Sequence, residues 1–188
     1  MFPGANAVYQ RSSASLRRDI HGLSWIVRSG RALLYPIYKS TYERGDGLKD
    51  MTPNMTASYR DHAVMWAKDV GRSVDYLEGR PDIAKDKIGY FGYSWGAELA
   101  PLILAVEPRM SLGVISLGAF NLQPSLPEAD PVNFAPRVKV PVLMLNGRFD
   151  FYGPTAISQE PLFRLLGTLQ NTSAEAFTRR RTRFRATR

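Results

Sequence analysis

Short apolar runs alternate with longer stretches of helical periodicity along this chain. That alternation admits few folds other than a parallel sheet flanked by helices. Arg31-Ala-Leu-Leu-Tyr-Pro-Ile-Tyr38 reads as a buried strand ended by Pro36. A helix follows across about Ser58–Glu78, with Ala63, Trp66, Ala67, Val70, Val74 and Leu77 forming one apolar stripe, stopped by Gly79-Arg80-Pro81. Lys87–Phe91 is a second strand, and Ala97–Val106 a helix that Pro101 should kink by removing the bond to the Ala97 carbonyl. Leu112–Gly118 is a third strand, followed by a connector carrying Pro124, Pro127, Pro131 and Pro136. Val138–Leu145 is a fourth strand and Thr155–Leu166 a last helix. At 188 residues, 44% hydrophobic and 22% charged, one domain with one core is expected.

Composition removes several alternatives. No apolar run reaches the roughly 18 residues of a membrane span. The absence of Cys excludes a disulfide scaffold, a thiolate metal site and a Cys nucleophile together. No metal-ligand spacing or phosphate loop implies a cofactor or metal, and no export signal is legible, so a cytoplasmic protein is expected. The net charge of +8 is concentrated at one end. Residues 171–188 hold six Arg against one Glu, giving +5 and leaving +3 for the other 170. Without interleaved aromatics or a recognition motif, that tail predicts no specific nucleic-acid binding.

The sharpest chemical signal is Gly92-Tyr93-Ser94-Trp95-Gly96, a G-x-S-x-G between an apolar strand and a helical stretch. A serine on a tight strand-to-helix turn projects its Oγ above a sheet, and flanking glycines remove the Cβ atoms that would collide there. The same turn aims the Trp95 N–H at a developing oxyanion. Leu145-Asn-Gly-Arg-Phe-Asp150 then places an acid just past a strand two positions beyond the serine strand, where Asp150 would orient an imidazole. A turn-capping role for Asp150 is the alternative. Phe2-Pro3-Gly4-Ala5-Asn6 offers a second oxyanion donor, the N–H of Ala5 or alternatively Gly4. Tyr93, Trp95, Phe149, Phe151 and Tyr152 read either as an apolar pocket wall or as core aromatics.

With these segments in hand, the chain resembles the α/β-hydrolases of the dienelactone hydrolase and prolyl-oligopeptidase-like branch. It is similar in particular to hydrolase domains fused to bacterial serine/threonine kinases. The resemblance runs over residues 2–168 through FPGANAVYQRSS, GYFGYSWGAELAP and VPVLMLNGRFDFYGP, among others. It implies a serine hydrolase acting on small-molecule esters or related acyl compounds. Ser94 would be the nucleophile, Asp150 the acid, and the Trp95 and Ala5 N–H groups the oxyanion hole.

One departure is central. The family's catalytic His follows the acid, whereas the two His of this chain are His21 and His62. A serine without a general base is a weak nucleophile, so activity is expected to be weak or absent. The rivals are an enzyme in which another group replaces the base and a non-catalytic module that keeps the pocket.

Both ends look cut: residues 1–168 read as a partial hydrolase domain and 169–188 as a non-native or disordered Arg-rich tail, in which periodicity vanishes and Arg-Thr-Arg-Phe-Arg offers nothing a sheet would bury. Joining each codon's third base to the next two bases from Leu169 onward permits Pro-Glu-His-Lys-Arg. Further on it permits a His before Val-Pro-Arg-Asn-Glu, of the kind the resembling domains carry around their catalytic His. Residues 169–188 are therefore expected to be a frame-shifted end. The fold class expected is an incomplete α/β-hydrolase fold, a mostly parallel sheet with helices on both faces. Uncovered strand surfaces near Leu33 and Leu143 and exposed sheet edges predict a marginal, self-associating protein.

Overall fold

The computed structural model describes residues 1–16, 21–48, 51–168 and 172–178. In chain order its elements are α1 (Asn6–Tyr9), α2 (Ser24–Arg28), α3 (Ala57–Glu78), β1 (Gly89–Tyr93), α4 (Trp95–Glu98), α5 (Ala100–Val106), β2 (Leu112–Ser116), α6 (Pro131–Phe134), β3 (Val142–Gly147), α7 (Glu160–Leu165) and β4 (Ala174–Thr178). A π-helical turn, Thr155–Gln159, leads into α7. The four strands pair in the order β1-β2-β3-β4, all parallel. Parallel strands bring all their C-terminal ends to one edge, so whatever follows β1, β2 and β3 gathers there. Among the described residues no helix is long and apolar enough to cross a membrane.

The core lies on one face of the sheet. Tyr90, Ile115, Val142 and Met144 point into it and meet Val70 and Val74 of α3, Leu102, Ile103 and Leu104 of α5, and Leu162 of α7. Trp66 is fully buried at its centre, in edge-on contact with Trp95 (centroids 4.8 Å apart), and its Nε1 donates to the Lys39 carbonyl at 3.0 Å. α3 begins where the Thr56 hydroxyl accepts from the Tyr59 N–H, and it ends at Gly79, as the periodicity indicates. The opposite face carries Trp25 of α2 against Phe91. It leaves Leu112 and Leu143 exposed at 43% and 37%. The open surface expected near Leu143 is therefore present, while Leu33 is half-buried.

Three sequence expectations are corrected. Arg31–Tyr38 is not a strand. The position beside β1 is taken by Phe2, which forms a single parallel bridge to Gly92 before Pro3 ends the ladder, and Leu34 only accepts a bond from the Met1 amine at 2.8 Å. Pro101 does more than kink its helix. α4 and α5 are separate helices meeting at Leu99, with Pro101 in the first turn of α5, where a missing N–H is harmless. The tail also joins the sheet, because Ala174–Thr178 pairs with β3 from Leu143↔Ala174 to Gly147↔Thr178. Its alternating small and larger residues suit an edge strand. Residues 169–171 and 179–188, with most of the arginines, lie outside the described residues.

Candidate active site

Ser94 lies at the C-terminal end of β1, directly before α4. Its φ of 51° and ψ of −113° place a non-glycine residue in a sparsely populated conformation. The main chain there is fully engaged. Ser94 N–H donates to the Ser116 carbonyl at 2.9 Å, while its own carbonyl accepts from Ala97 at 2.8 Å and Glu98 at 2.9 Å. The side chain is left half-exposed at the rim. Such a turn needs its neighbours bare: a Cβ on Gly92 would stand 2.5 Å from the Gly96 carbonyl oxygen, and one on Gly96 would strike the carbonyl of Phe2.

The N-terminal loop is fastened against this turn. Phe2 N–H donates to Phe91 at 2.8 Å, Tyr93 N–H to Phe2 at 3.1 Å, and Gly96 N–H to Pro3 at 2.9 Å. Gly4 then lies over the serine, since a Cβ built on it would be 3.5 Å from the Ser94 Cβ. Trp95 is the first residue of α4 and Ala5 the N-cap of α1, positions whose N–H groups have no intrahelical acceptor. The Trp95 side chain is core rather than pocket wall, packed edge-on against Phe2 and Trp66. Tyr93, Phe149, Phe151 and Tyr152 are exposed around the rim.

Asp150 follows β3 by three residues and reaches the same edge of the sheet. It is 9% exposed, and one carboxylate oxygen accepts from the Tyr152 N–H at 3.0 Å, so the turn-capping bond is made as well. Two side chains that the sequence reading passed over hold this edge together. Buried Asn146 grips Gly118 by both groups, accepting from its N–H and donating to its carbonyl, each at 2.9 Å. Gln159 Nε2 donates to the Gly147 and Gly153 carbonyls at 3.2 and 2.6 Å, closing the loop that carries Asp150. The Ser158 hydroxyl donates to the Phe120 carbonyl, tying in the loop after β2.

The third residue missed from sequence is Glu98, at the end of α4. Burial pushes its carboxyl up to about 7; the amide of Asn121, 3.3 Å away, opposes that rise and the negative charge of Asp150 adds to it. Asp150 likewise raises the Tyr93 phenol, after burial. Ser94, Asp150 and Glu98 therefore share one edge of the sheet. The signal available in sequence was a lone acid one helical turn after the serine, within an otherwise apolar helix.

His21 is exposed. His62 has both ring nitrogens engaged, Nδ1 with the Ser58 carbonyl at 2.6 Å and Nε2 with Asp46 at 3.0 Å.

A serine turn at the C-terminal edge of a parallel sheet, with an acid past a later strand, defines an α/β-hydrolase architecture. Solved structures agree. The chain matches a candidate dienelactone hydrolase from Klebsiella pneumoniae at TM-score 0.54 and 20% identity, over 63% of this chain and 50% of that one. It matches acetyl xylan esterase 1 from Thermoanaerobacterium sp. at 0.51 and 16%, over 65% and 48%. It also matches acylaminoacyl peptidase from Pyrococcus horikoshii at 0.52 and 16%, over 64% and 24%. The chain thus spans half or less of each of these proteins. No curated protein matches it in sequence. The dienelactone hydrolase family model matches residues 20–162, and the chain belongs to that family.

Proposed function

We propose that the chain is a carboxylester hydrolase of the dienelactone hydrolase type, with Ser94 as nucleophile, Asp150 as the acid and the Trp95 and Ala5 N–H groups as oxyanion donors. The observation that carries this reading is the conformation of Ser94. Strain of about 1–3 kcal/mol at a non-glycine φ of 51° persists only where surrounding structure enforces it, which supports a role for this serine at the half-exposed end of β1.

Chemistry narrows the substrate. An amide leaving group must be protonated as it departs, and among the described residues no imidazole is shown in contact with Ser94. An ester with a good leaving group escapes that demand, so small cytoplasmic esters or acyl compounds are the expected substrates, turned over slowly. Hydrolysis of p-nitrophenyl acetate by the wild type and by Ser94→Ala tests this. Slow turnover that vanishes in Ser94→Ala supports the reading, and turnover indifferent to that change refutes it.

The engagement of both His62 ring nitrogens, with Ser58 and Asp46, favours a second reading, a non-catalytic module that binds acyl ligands. Saturable ligand binding by a folded chain that shows no Ser94-dependent turnover would select it.

A further inference from the structure

Three aromatic side chains stand open to solvent at the edge of the sheet where Ser94 follows β1. Tyr93, the residue before the serine, is 42% exposed, and Phe151 and Tyr152, directly after Asp150, are 69% exposed each. The Tyr93 ring lies along the N-terminal loop. A Cβ built on Gly4 would stand 3.1 Å from that ring and 3.5 Å from the Ser94 Cβ, so the ring and the serine share one neighbour. At the acid, the Asp150 carboxylate accepts from the Tyr152 N–H at 3.0 Å, and the Phe151 and Tyr152 rings pack at 4.6 Å, tilted by 37°. Burial, and then the negative charge of Asp150, raise the Tyr93 phenol above its ordinary range, which ties the ring beside the serine to the group of rings beside the acid. Single apolar side chains on a surface are commonplace, whereas several aromatics gathered at one concave edge mark a place for an apolar ligand.

Resting on the reading of Ser94 as nucleophile, we propose that Tyr93, Phe151 and Tyr152 form an aromatic shelf that selects esters bearing a planar aromatic group, on the acyl or the alcohol side, over saturated ones. The rings hold the substrate beside the reacting bond and take no part in making or breaking it. Their contribution is to keep the ester with its carbonyl carbon against Ser94 Oγ. A flat π-system meets such rings in offset or edge-on contact, which a saturated ring of equal size cannot make, and this favours the aromatic ester about 3- to 10-fold. Tyr93 carries the largest share. It is the most covered of the three and is held against Gly4, so seating a ligand on it costs little side-chain freedom. Phe151 and Tyr152 reach further into water and act on the outer part of the ligand.

The test compares two pairs of activated esters. Trifluoroethyl benzoate against trifluoroethyl cyclohexanecarboxylate reads the acyl side, and phenyl acetate against trifluoroethyl acetate reads the alcohol side. Rates are taken as the part abolished in Ser94→Ala, and each variant is compared with the wild type on the same ester, so intrinsic reactivity cancels. Tyr93→Ala should lower kcat/KM for the aromatic member of at least one pair about 3- to 10-fold more than for its partner, chiefly through KM. Tyr93→Phe should keep the preference, because the ring and not the hydroxyl makes the contact. Phe151→Ala and Tyr152→Ala should each erode it, and as changes at exposed side chains they carry the test should Tyr93→Ala fail to fold. Where hydrolysis is too slow to follow, the rate of Ser94 sulfonylation by phenylmethanesulfonyl fluoride against methanesulfonyl fluoride, read by intact mass, gives the same comparison. Variants that slow aromatic and saturated reagents equally overturn the shelf while leaving Ser94 in place. Unchanged selectivity with reduced light scattering also overturns it, and makes the rings a contact between copies of the chain. Neither turnover nor labelling at Ser94, or both surviving in Ser94→Ala, would instead remove the reading beneath it.

Discussion

The N–H of Gly96 donates to the carbonyl of Pro3 across 2.9 Å, which fastens the N-terminal loop to the helix that opens at the serine. The oxyanion cradle we propose would therefore be assembled from two distant pieces of chain, and its geometry would depend on a contact that allows no Cβ. Gly96→Ala should force Phe2 away from β1. Overpacking of this kind costs about 1–3 kcal/mol, and any Ser94-dependent esterase activity should fall with it. Chemical denaturation together with the p-nitrophenyl acetate assay measures both effects.

Ser94→Gly should do the opposite to stability. Glycine takes a φ of 51° without the penalty a Cβ imposes, so the variant should be more stable than the wild type by about 1 kcal/mol while losing all nucleophilic chemistry. A rise in urea midpoint with complete loss of activity is the expected pair of results. A loss of stability would mean that the hydroxyl is a structural hydrogen-bonding group.

Much of this could be read in advance, and the limits have physical causes. The alternation of short apolar runs with the Ala63–Val74 stripe was enough for a parallel sheet under a long helix. The glycines around Ser94 were enough for the serine turn, because a steric demand writes itself directly into sequence. Arg31–Tyr38 misled because apolar content does not show that a partner strand exists to pair with it; beside β1 the ladder position is held by the single bridge of Phe2 to Gly92. β4 was missed because Ala174, Ala176 and Thr178 are exposed at the sheet's edge and need no apolar run. Asn146, Gln159 and Glu98 were missed because a polar residue bonded across the fold looks, in sequence, like any surface residue.

Stability should carry the imprint of Glu98. Its carboxyl titrates near 7 in the folded protein against 4.5 ordinarily, so the folded state holds the proton longer than the unfolded one. That contribution is complete below pH 4.5 and is lost as pH rises through 7. Glu98→Gln, which is neutral throughout, should gain stability relative to the wild type over this window. Urea midpoints of the two proteins at pH 5 and pH 8 give the comparison, and a difference independent of pH would contradict it.

The uncovered face of the sheet should govern behaviour in solution. Leu112 and Leu143 stand exposed on strands β2 and β3, on the side where Trp25 of α2 packs on Phe91. Exposed apolar patches of this kind drive association. Replacing Leu143 with Thr should reduce concentration-dependent association in light scattering and lower dye binding to apolar surface. Because the side chain is already in water, the denaturation midpoint should shift little. Unchanged association would place the sticky surface elsewhere.

The most direct measurement of all is covalent. A fluorophosphonate reacts with a serine only where the hydroxyl is presented to an electrophile and the phosphoryl oxygen is met by hydrogen-bond donors. Intact-mass and peptide analysis after labelling should show one adduct per chain, located on Ser94 and absent from Ser94→Ala. A folded chain that takes up no label at Ser94, or that labels equally well once the serine is gone, would contradict the account.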